Sequence, residues 1–330
     1  MGIQLLYSGL SPLWALTNSF ARVLSKSRAE RLPRPVISVG NIVAGGVGKT
    51  EIIRALASRF VEQGRRVVVA SRGYGSPWEK TGGVSHDFAS GQAHHFPDEA
   101  NLLLKRIPGI SVVVGAKRSA ILKRFWEEID PDIVLLDDGF QHFGLARDLD
   151  VLVHDFSIRW PVLRDFPIHL DKARLRVSFS EVPERWKIHR KGCSPWVRAQ
   201  YRVNGIVDAF DKKMPLPPSA LVFCGLGNPH RFREGLKQVK VEVKDFRSFS
   251  DHQNYTREDI KKLVQWKKGS TDAALLTSLK DYVKLYPFIE SQGGVPGFEP
   301  CWVDSSVVFL ENEEYFWNTV TQALSTSKHS

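Results

Sequence analysis

The 330-residue sequence predicts an α/β protein: a doubly wound, mostly parallel sheet of the P-loop NTPase type, a second, smaller α/β lobe and an N-terminal amphipathic helix. Two observations predict the sheet. Short β-branched runs alternate with segments of helical apolar spacing, and the first such run leads through a Gly-rich loop into a helix.

The elements follow in order. The run VISV (36–39) is a strand, Ile52, Ile53, Leu56, Ala57 and Phe60 mark a helix, and RVVVA (66–70) closes a βαβ unit. SVVVG (111–115), DIVLLDD (132–138) and DVLVHD (150–155) continue the series. Continuous apolar runs of this kind belong to parallel strands covered on both faces. Between about Arg159 and Met214 the periodicity weakens, and KKMPLPPSA reads as a linker or exposed turn. LVFCG (221–225), AALLTS (273–278) and VDSSVVFL (303–310) then predict strands of a second lobe, with helices starting near Pro229, Thr256 and Asn312.

Hydrophobic residues at 42% and charged residues at 25% describe a globular chain and exclude a disordered or collagen-like one. Lys and Arg number 46 against 36 Asp and Glu, so a net charge of +10 attracts anions. Nucleic acid, acidic membrane and phosphorylated substrate all satisfy that sign, so the sum alone does not choose among them. Cys193, Cys224 and Cys301 form no Cys-x-x-Cys pair, which points away from a disulfide framework or zinc ribbon and towards a reducing cytosol.

Residues 1–24 are apolar but interrupted by Ser8, Ser11, Thr17, Asn18 and Ser19, too polar a run to span a bilayer. Ile3, Leu6, Leu10, Leu13, Trp14 and Phe20 approximate helical spacing, and Arg22, Lys26, Arg28, Arg31 and Arg34 follow. Such a helix fits the headgroup region of an acidic membrane; it fits equally well against the protein's own core.

The strongest chemical signal is VISVGNIVAGGVGKT. In Val43, Ala44, Gly45, Gly46, Val47, Gly48, Lys49 and Thr50, glycines let backbone N–H groups turn towards phosphate, Lys49 reaches β and γ oxygens, and Thr50 holds Mg²⁺. Val43 stands where such loops usually begin with Gly, so the match is partial. Asp137 and Asp138 end the apolar run 133–136, where a Mg²⁺-binding NTPase carries a carboxylate; either could serve the metal while the other caps the turn at Gly139. Ser71-Arg72-Gly73-Tyr74-Gly75, Asp98-Glu99, Gln141-His142 and Asp251-His252 also fall at predicted strand ends or loops. Asp98 after Pro97 is equally a good helix cap.

Taken together and in order, VGNIVAGGVGKT, ASRGYG, PDEANLL, VVVGAKR, VLLDDGFQH, LARDLDVLVHD, GLGNPHRF, FSDHQNYTREDI and LLTSLKDYVKL resemble the tetraacyldisaccharide 4'-kinase family over most of the chain. That resemblance implies three parts: a membrane-associating helix (1–30), a P-loop kinase core (31–215) and a C-terminal lobe (216–330). It implies transfer of the ATP γ-phosphoryl group to the 4'-hydroxyl of a tetraacylated glucosamine disaccharide 1-phosphate, a lipid A precursor, at the cytoplasmic face of the bacterial inner membrane. By the same resemblance Asp98 acts as general base with His252, Thr50, Asp137 and Asp138 serve Mg²⁺, and Arg72, Tyr74, Glu99, Lys117, Gln141, His142, Arg164 and Asp165 contact substrate or phosphate. SIRWPVLRDFPIHL departs from the family's Gly/Pro-rich turn before Leu163-Arg164-Asp165. Glu51 also stands where the family often has Pro.

A partitioning-type membrane ATPase is the alternative, but its loop needs a Lys where Ala44 stands. A nucleic-acid-binding NTPase is disfavoured because no aromatic-Gly, helix-turn-helix or zinc signature is present. No obligate protein partner is indicated.

Overall fold

The structure, a computed structural model, describes residues 15–18, 29–43, 45–88, 96–158, 162–166, 169–170, 173–187, 194–251, 253–289 and 295–326. Ala44, His252 and the N-terminal helix except Ala15–Asn18 lie outside the described residues. The chain packs as two compact units, 1–200 with 307–330, and 201–306. The sequence reading placed a break at 215/216; the packing divides inside β8 (Trp196–Val207), and β13 (Cys301–Glu311) carries the chain back.

In the first unit the strands run β8-β7-β6-β1-β5-β2-β4-β3, with β1 Val36–Gly40, β2 Val67–Ser71, β3 Gly83–Ser85, β4 Ser111–Val114, β5 Ile133–Asp137, β6 Leu149–His154 and β7 Leu175–Ser178. All these pairings are parallel except β3 with β4. β1 is central, between β5 and β6, and its register sets Val39 beside Asp137. Helix α1 (Lys49–Glu62) buries Ile52, Ile53, Leu56, Ala57 and Phe60, the predicted stripe. Each large apolar side chain so buried contributes about 1.5–3 kcal/mol. The C-terminal segment rejoins this unit: Asn312 Nδ2 donates to Trp196 O at 2.8 Å, and Arg59 stacks 4.0 Å from the Trp317 ring centroid.

In the second unit β11 (Glu242–Ser248), β10 (Ser219–Cys224), β12 (Ala274–Thr277) and β13 are parallel neighbours. A core of Phe223, Tyr255, Ile260, Leu263, Leu275 and Leu285 lies under the helix Arg257–Lys268. That helix opens with a capping box: Thr256 Oγ1 accepts from Asp259 N, and the Asp259 carboxylate accepts from Thr256 N.

The stretch read as weakly periodic contains β7, β8 and part of a hairpin. The KKMPLPPSA segment, read as a linker or exposed turn, is exposed at residues 212–215 and carries β9 (Lys213–Met214), paired antiparallel to β8. In β8, Val197, Ala199, Tyr201 and Val203 alternate with Arg198, Gln200, Arg202 and Asn204, the period of a half-buried strand, so it differs from the continuous apolar runs that mark the other strands of this sheet.

Candidate phosphate site

The site grows from the turn after β1. Gly40 makes room for the next loop, since a Cβ there would meet Phe140 Cβ at 2.5 Å. Asn41, fully buried, donates from its amide to Val43 O and accepts on its carbonyl O from Gln141 Nε2 at 2.8 Å. From the other side Arg164 N and Asp165 N donate to Ile42 O, and Val43 forms an isolated bridge with Leu163. The loop start, whose first position lacks the usual Gly, is therefore held by neighbours on two sides.

At its other end Gly48 occupies the N-cap of α1 with φ +101°, and a Cβ there would lie 2.6 Å from the Phe179 ring. Gly45 has φ +118° and faces open space. Only Gly takes such dihedrals without strain, and the helix beyond presents N–H groups and a positive dipole end.

Lys49 Nζ lies 3.5 Å from Asp138 Oδ1, and the Arg164 guanidinium contacts both Asp138 oxygens at 2.8 and 2.9 Å. Burial opposes ionisation of Asp138, but Lys49 and Arg164 outweigh it and hold its carboxyl down to about 2. Asp137 differs. Its burial, with Glu99 and Asp138 as like charges nearby, pushes its carboxyl up to about 7, and its buried Oδ1 has no protein hydrogen-bond partner. The two adjacent carboxylates thus hold different states: one a paired anion, the other poised near neutrality.

Beneath them lies a residue that the sequence reading passed over. Arg118, buried at the first turn of α4 (Arg118–Arg124), donates to Asp137 O at 2.8 Å and Asp138 O at 3.1 Å. A cation at a helix N-terminus opposes the macrodipole, which was the available cue. Its neighbour Lys117, a candidate for phosphate or substrate contact, is the exposed N-cap of the same helix.

His142 is desolvated and ringed by Arg118, Arg147 and Arg72, which together lower its pKa to about 4. Asp165 is fully buried and paired with His169 at 3.2 Å, so it supports the segment that presents Arg164. Arg72 is ion-paired to Glu79 at 2.7 Å, and Tyr74 is 83% exposed. Asp98 and Glu99 open α3 (Asp98–Arg106); Pro97 is the N-cap, and no side chain makes a capping hydrogen bond. The structure gathers Gly48, Lys49, Asp137, Asp138, Gln141, Arg164 and, at electrostatic range, Glu99 and His142; it leaves Tyr74 and Lys117 at the surface.

The comparisons agree with this architecture. The pattern of a family described as tetraacyldisaccharide-1-P 4'-kinase matches residues 3–325. The chain belongs to the tetraacyldisaccharide-1-P 4'-kinase family. A tetraacyldisaccharide 4'-kinase of Desulfotalea psychrophila is 32% identical over 308 residues, 86% of each chain. One of Geobacter metallireducens is 34% identical over 289 residues, 81% of this chain and 83% of its own. The crystal structure of LpxK from Aquifex aeolicus in complex with ATP superposes with a TM-score of 0.73 at 25% identity, covering 97% of this chain and 99% of that one. The expected α/β fold and kinase class hold, and among the described residues no helix is long and apolar enough to cross a membrane.

Proposed function

We propose that this kinase transfers the γ-phosphoryl group of ATP to the 4'-hydroxyl of a tetraacylated disaccharide 1-phosphate, the step named for its relatives. The observation that carries the reading is the junction of β1 and α1, where Lys49 and the paired Asp138 adjoin a buried Asp137 with a partnerless oxygen.

The residues present suit a Mg²⁺-bound nucleotide. Among the described residues no cluster of three or more His, Cys, Asp or Glu side chains forms a ready-made cage. Mg²⁺ needs none, because it keeps several waters and takes one or two carboxylates plus substrate phosphates. Thr50 and Asp137 would hold it, with Asp138 behind, and its chemistry would be to neutralise charge on the phosphate oxygens. The loop Gly45–Gly48 and the first turn of α1 cradle the phosphates with N–H groups, while Lys49 stabilises charge on the transferring group. Arg164 keeps Asp138 ionised, and Arg118 fixes the backbone that carries both carboxylates. Asp98 takes the proton of the attacking hydroxyl, with His252 assisting. Arg72, Tyr74, Lys117, Gln141 and His142 contact substrate.

The N-terminal helix and its following basic residues hold the enzyme at the cytoplasmic face of the inner membrane, where an anionic lipid substrate resides. The test is transfer of label from γ-labelled ATP to tetraacyldisaccharide 1-phosphate in mixed micelles with Mg²⁺. Labelled lipid that disappears in Lys49→Ala supports the reading; ATP hydrolysis without lipid labelling overturns it in favour of a membrane-associated ATPase.

A further inference from the structure

Val43, at the position where phosphate loops usually begin with glycine, is fully buried and does not take a left-handed backbone. A glycine would turn the chain through its own dihedral freedom; here the turn is held from the side. Asn41, two residues earlier, donates its side-chain amide to Val43 O, the local bond by which an asparagine shapes the backbone just beyond it. Asn41 and Val43 are both fully buried, so that carbonyl has no bulk water to fall back on.

The rest of Asn41 faces two other arms of the first unit. Its Oδ1 accepts from Arg164 Nη1 at 3.5 Å, the same nitrogen that reaches both Asp138 oxygens at 2.8 and 2.9 Å. Its main-chain O accepts from Gln141 Nε2 at 2.8 Å, and Ile42 O, next along, takes Arg164 N at 2.7 Å and Asp165 N at 3.2 Å. One buried residue thus touches the phosphate loop, the turn after β5 and the segment that presents Arg164. An apolar side chain would fill a buried place at less cost, since an amide there is tolerated only when bonded; the bonds Asn41 makes go to elements of the site. The far end of the loop is fixed independently by Gly48 against Phe179, while the middle, at Gly45, faces open space. The entry of the chain into the loop is therefore the part that Asn41 governs.

We infer that Asn41 is a positioning residue for ATP: its side chain sets the angle at which the chain enters the phosphate loop, and so where the N–H groups of the 45–48 stretch point, and it holds that loop in register with the Arg164 guanidinium. This rests on the reading that the loop cradles the ATP phosphates. Asn41 acts through the backbone it holds, without touching the nucleotide itself.

The test compares Asn41→Ala, Asn41→Ser and Ile37→Val in the full-length enzyme, reading the ATP dissociation constant by calorimetric titration with Mg²⁺, KM for the lipid, and melting temperature. Ile37, fully buried in β1 and outside the site, shows what lost packing alone does. A chain that folds less well loses active molecules and signal, not affinity. We expect Asn41→Ala to raise the ATP dissociation constant about 10-fold, the scale of one buried carbonyl left unpaired, with KM for the lipid unchanged. Asn41→Ser, whose hydroxyl makes the same local bond more weakly, recovers part of the loss, and Ile37→Val keeps parental affinity. Parental affinity in a folded Asn41→Ala, an equal loss in Ile37→Val, or a KM for the lipid that rises in step, overturns the inference while ATP binding stands. A parent enzyme that binds no ATP overturns the reading on which the inference rests. Should Asn41→Ala fail to fold, Asn41→Ser decides: a smaller loss of ATP affinity at unchanged KM for the lipid supports the role, and parental affinity overturns it.

Discussion

Lys49 and Arg164 share one carboxylate: both reach Asp138, at 3.5 and 2.8 Å, although they come from opposite sides of the strand β1 turn. Asp138 also sits at φ +51°, a left-handed backbone that a non-Gly residue adopts only when its surroundings hold it. The pair of cations and the Arg118 bonds to the local carbonyls supply that hold.

Arg164→Leu is therefore expected to act on Asp138 before it acts on substrate. With Arg164 gone, the Asp138 carboxyl rises from about 2 towards the ordinary range, while Lys49 and, at longer reach, Arg118 still lower it. Turnover falls by about 10²-fold, and the acid limb of the kcat profile moves to higher pH. A pH–rate profile checks both, and Arg164→Lys recovers part of the loss because it restores charge without the two-oxygen contact.

Gly48 and Gly45 separate two reasons for glycine in one loop. Both have positive φ, so Ala strains either, at about 1–3 kcal/mol. At Gly48 the new methyl also strikes the Phe179 ring at 2.6 Å, whereas Gly45 faces open space. Gly48→Ala should thus weaken ATP binding and lower the melting temperature more than Gly45→Ala, and Phe179→Ala should restore part of the Gly48→Ala loss but none of the Gly45→Ala loss. Calorimetric titration with ATP and thermal denaturation measure the two effects.

What the sequence disclosed and what it hid divide along local and long-range lines. The Gly-rich loop, α1 and the strand ending in Asp137-Asp138 were legible because period and punctuation carry them. β8 carries a period-2 alternation instead of a continuous apolar run, which sets it apart from the buried strands, and its hairpin with Lys213–Met214 has no Asn-Gly or Asp-Gly turn to announce it. Residues that act by tertiary reach were the hardest: nothing in the spacing says that Phe179 abuts Gly48, or that of Lys117 and Arg118 it is the second that turns inward. Arg164 entered through family resemblance, 26 residues from the carboxylate it grips.

Two half-buried imidazoles make the fold acid-sensitive. Burial lowers both His142 and His154 to about 4, with neighbouring arginines adding to the effect at His142. A histidine depressed from 6.5 binds its proton more readily when unfolded, so stability is complete above about pH 6.5 and is lost as pH falls towards 4. Each contributes a slope of up to about 1.4 kcal/mol per pH unit in that window. Denaturation between pH 7 and 4.5 should show the decline, and His154→Gln, whose ring stands 4.5 Å from Phe156 outside the phosphate site, should flatten it.

Asp98 can be tested apart from the helix it opens. With Pro97 in the cap position and no side-chain capping hydrogen bond there, Asp98 is not the cap of α3 but adds a negative charge to its first turn. Such a charge is worth about 0.3–1 kcal/mol. Asp98→Asn keeps the shape and removes the charge, so its melting temperature should stay within a few degrees of the parent. A general base contributes about 10²–10⁴-fold, so kcat should fall by that factor while ATP still binds, and the acid limb that reports the base should vanish from the pH profile. Near-parental turnover in Asp98→Asn would reduce the residue to its place in the helix dipole and shift the search for the base to the other carboxylates around Lys49.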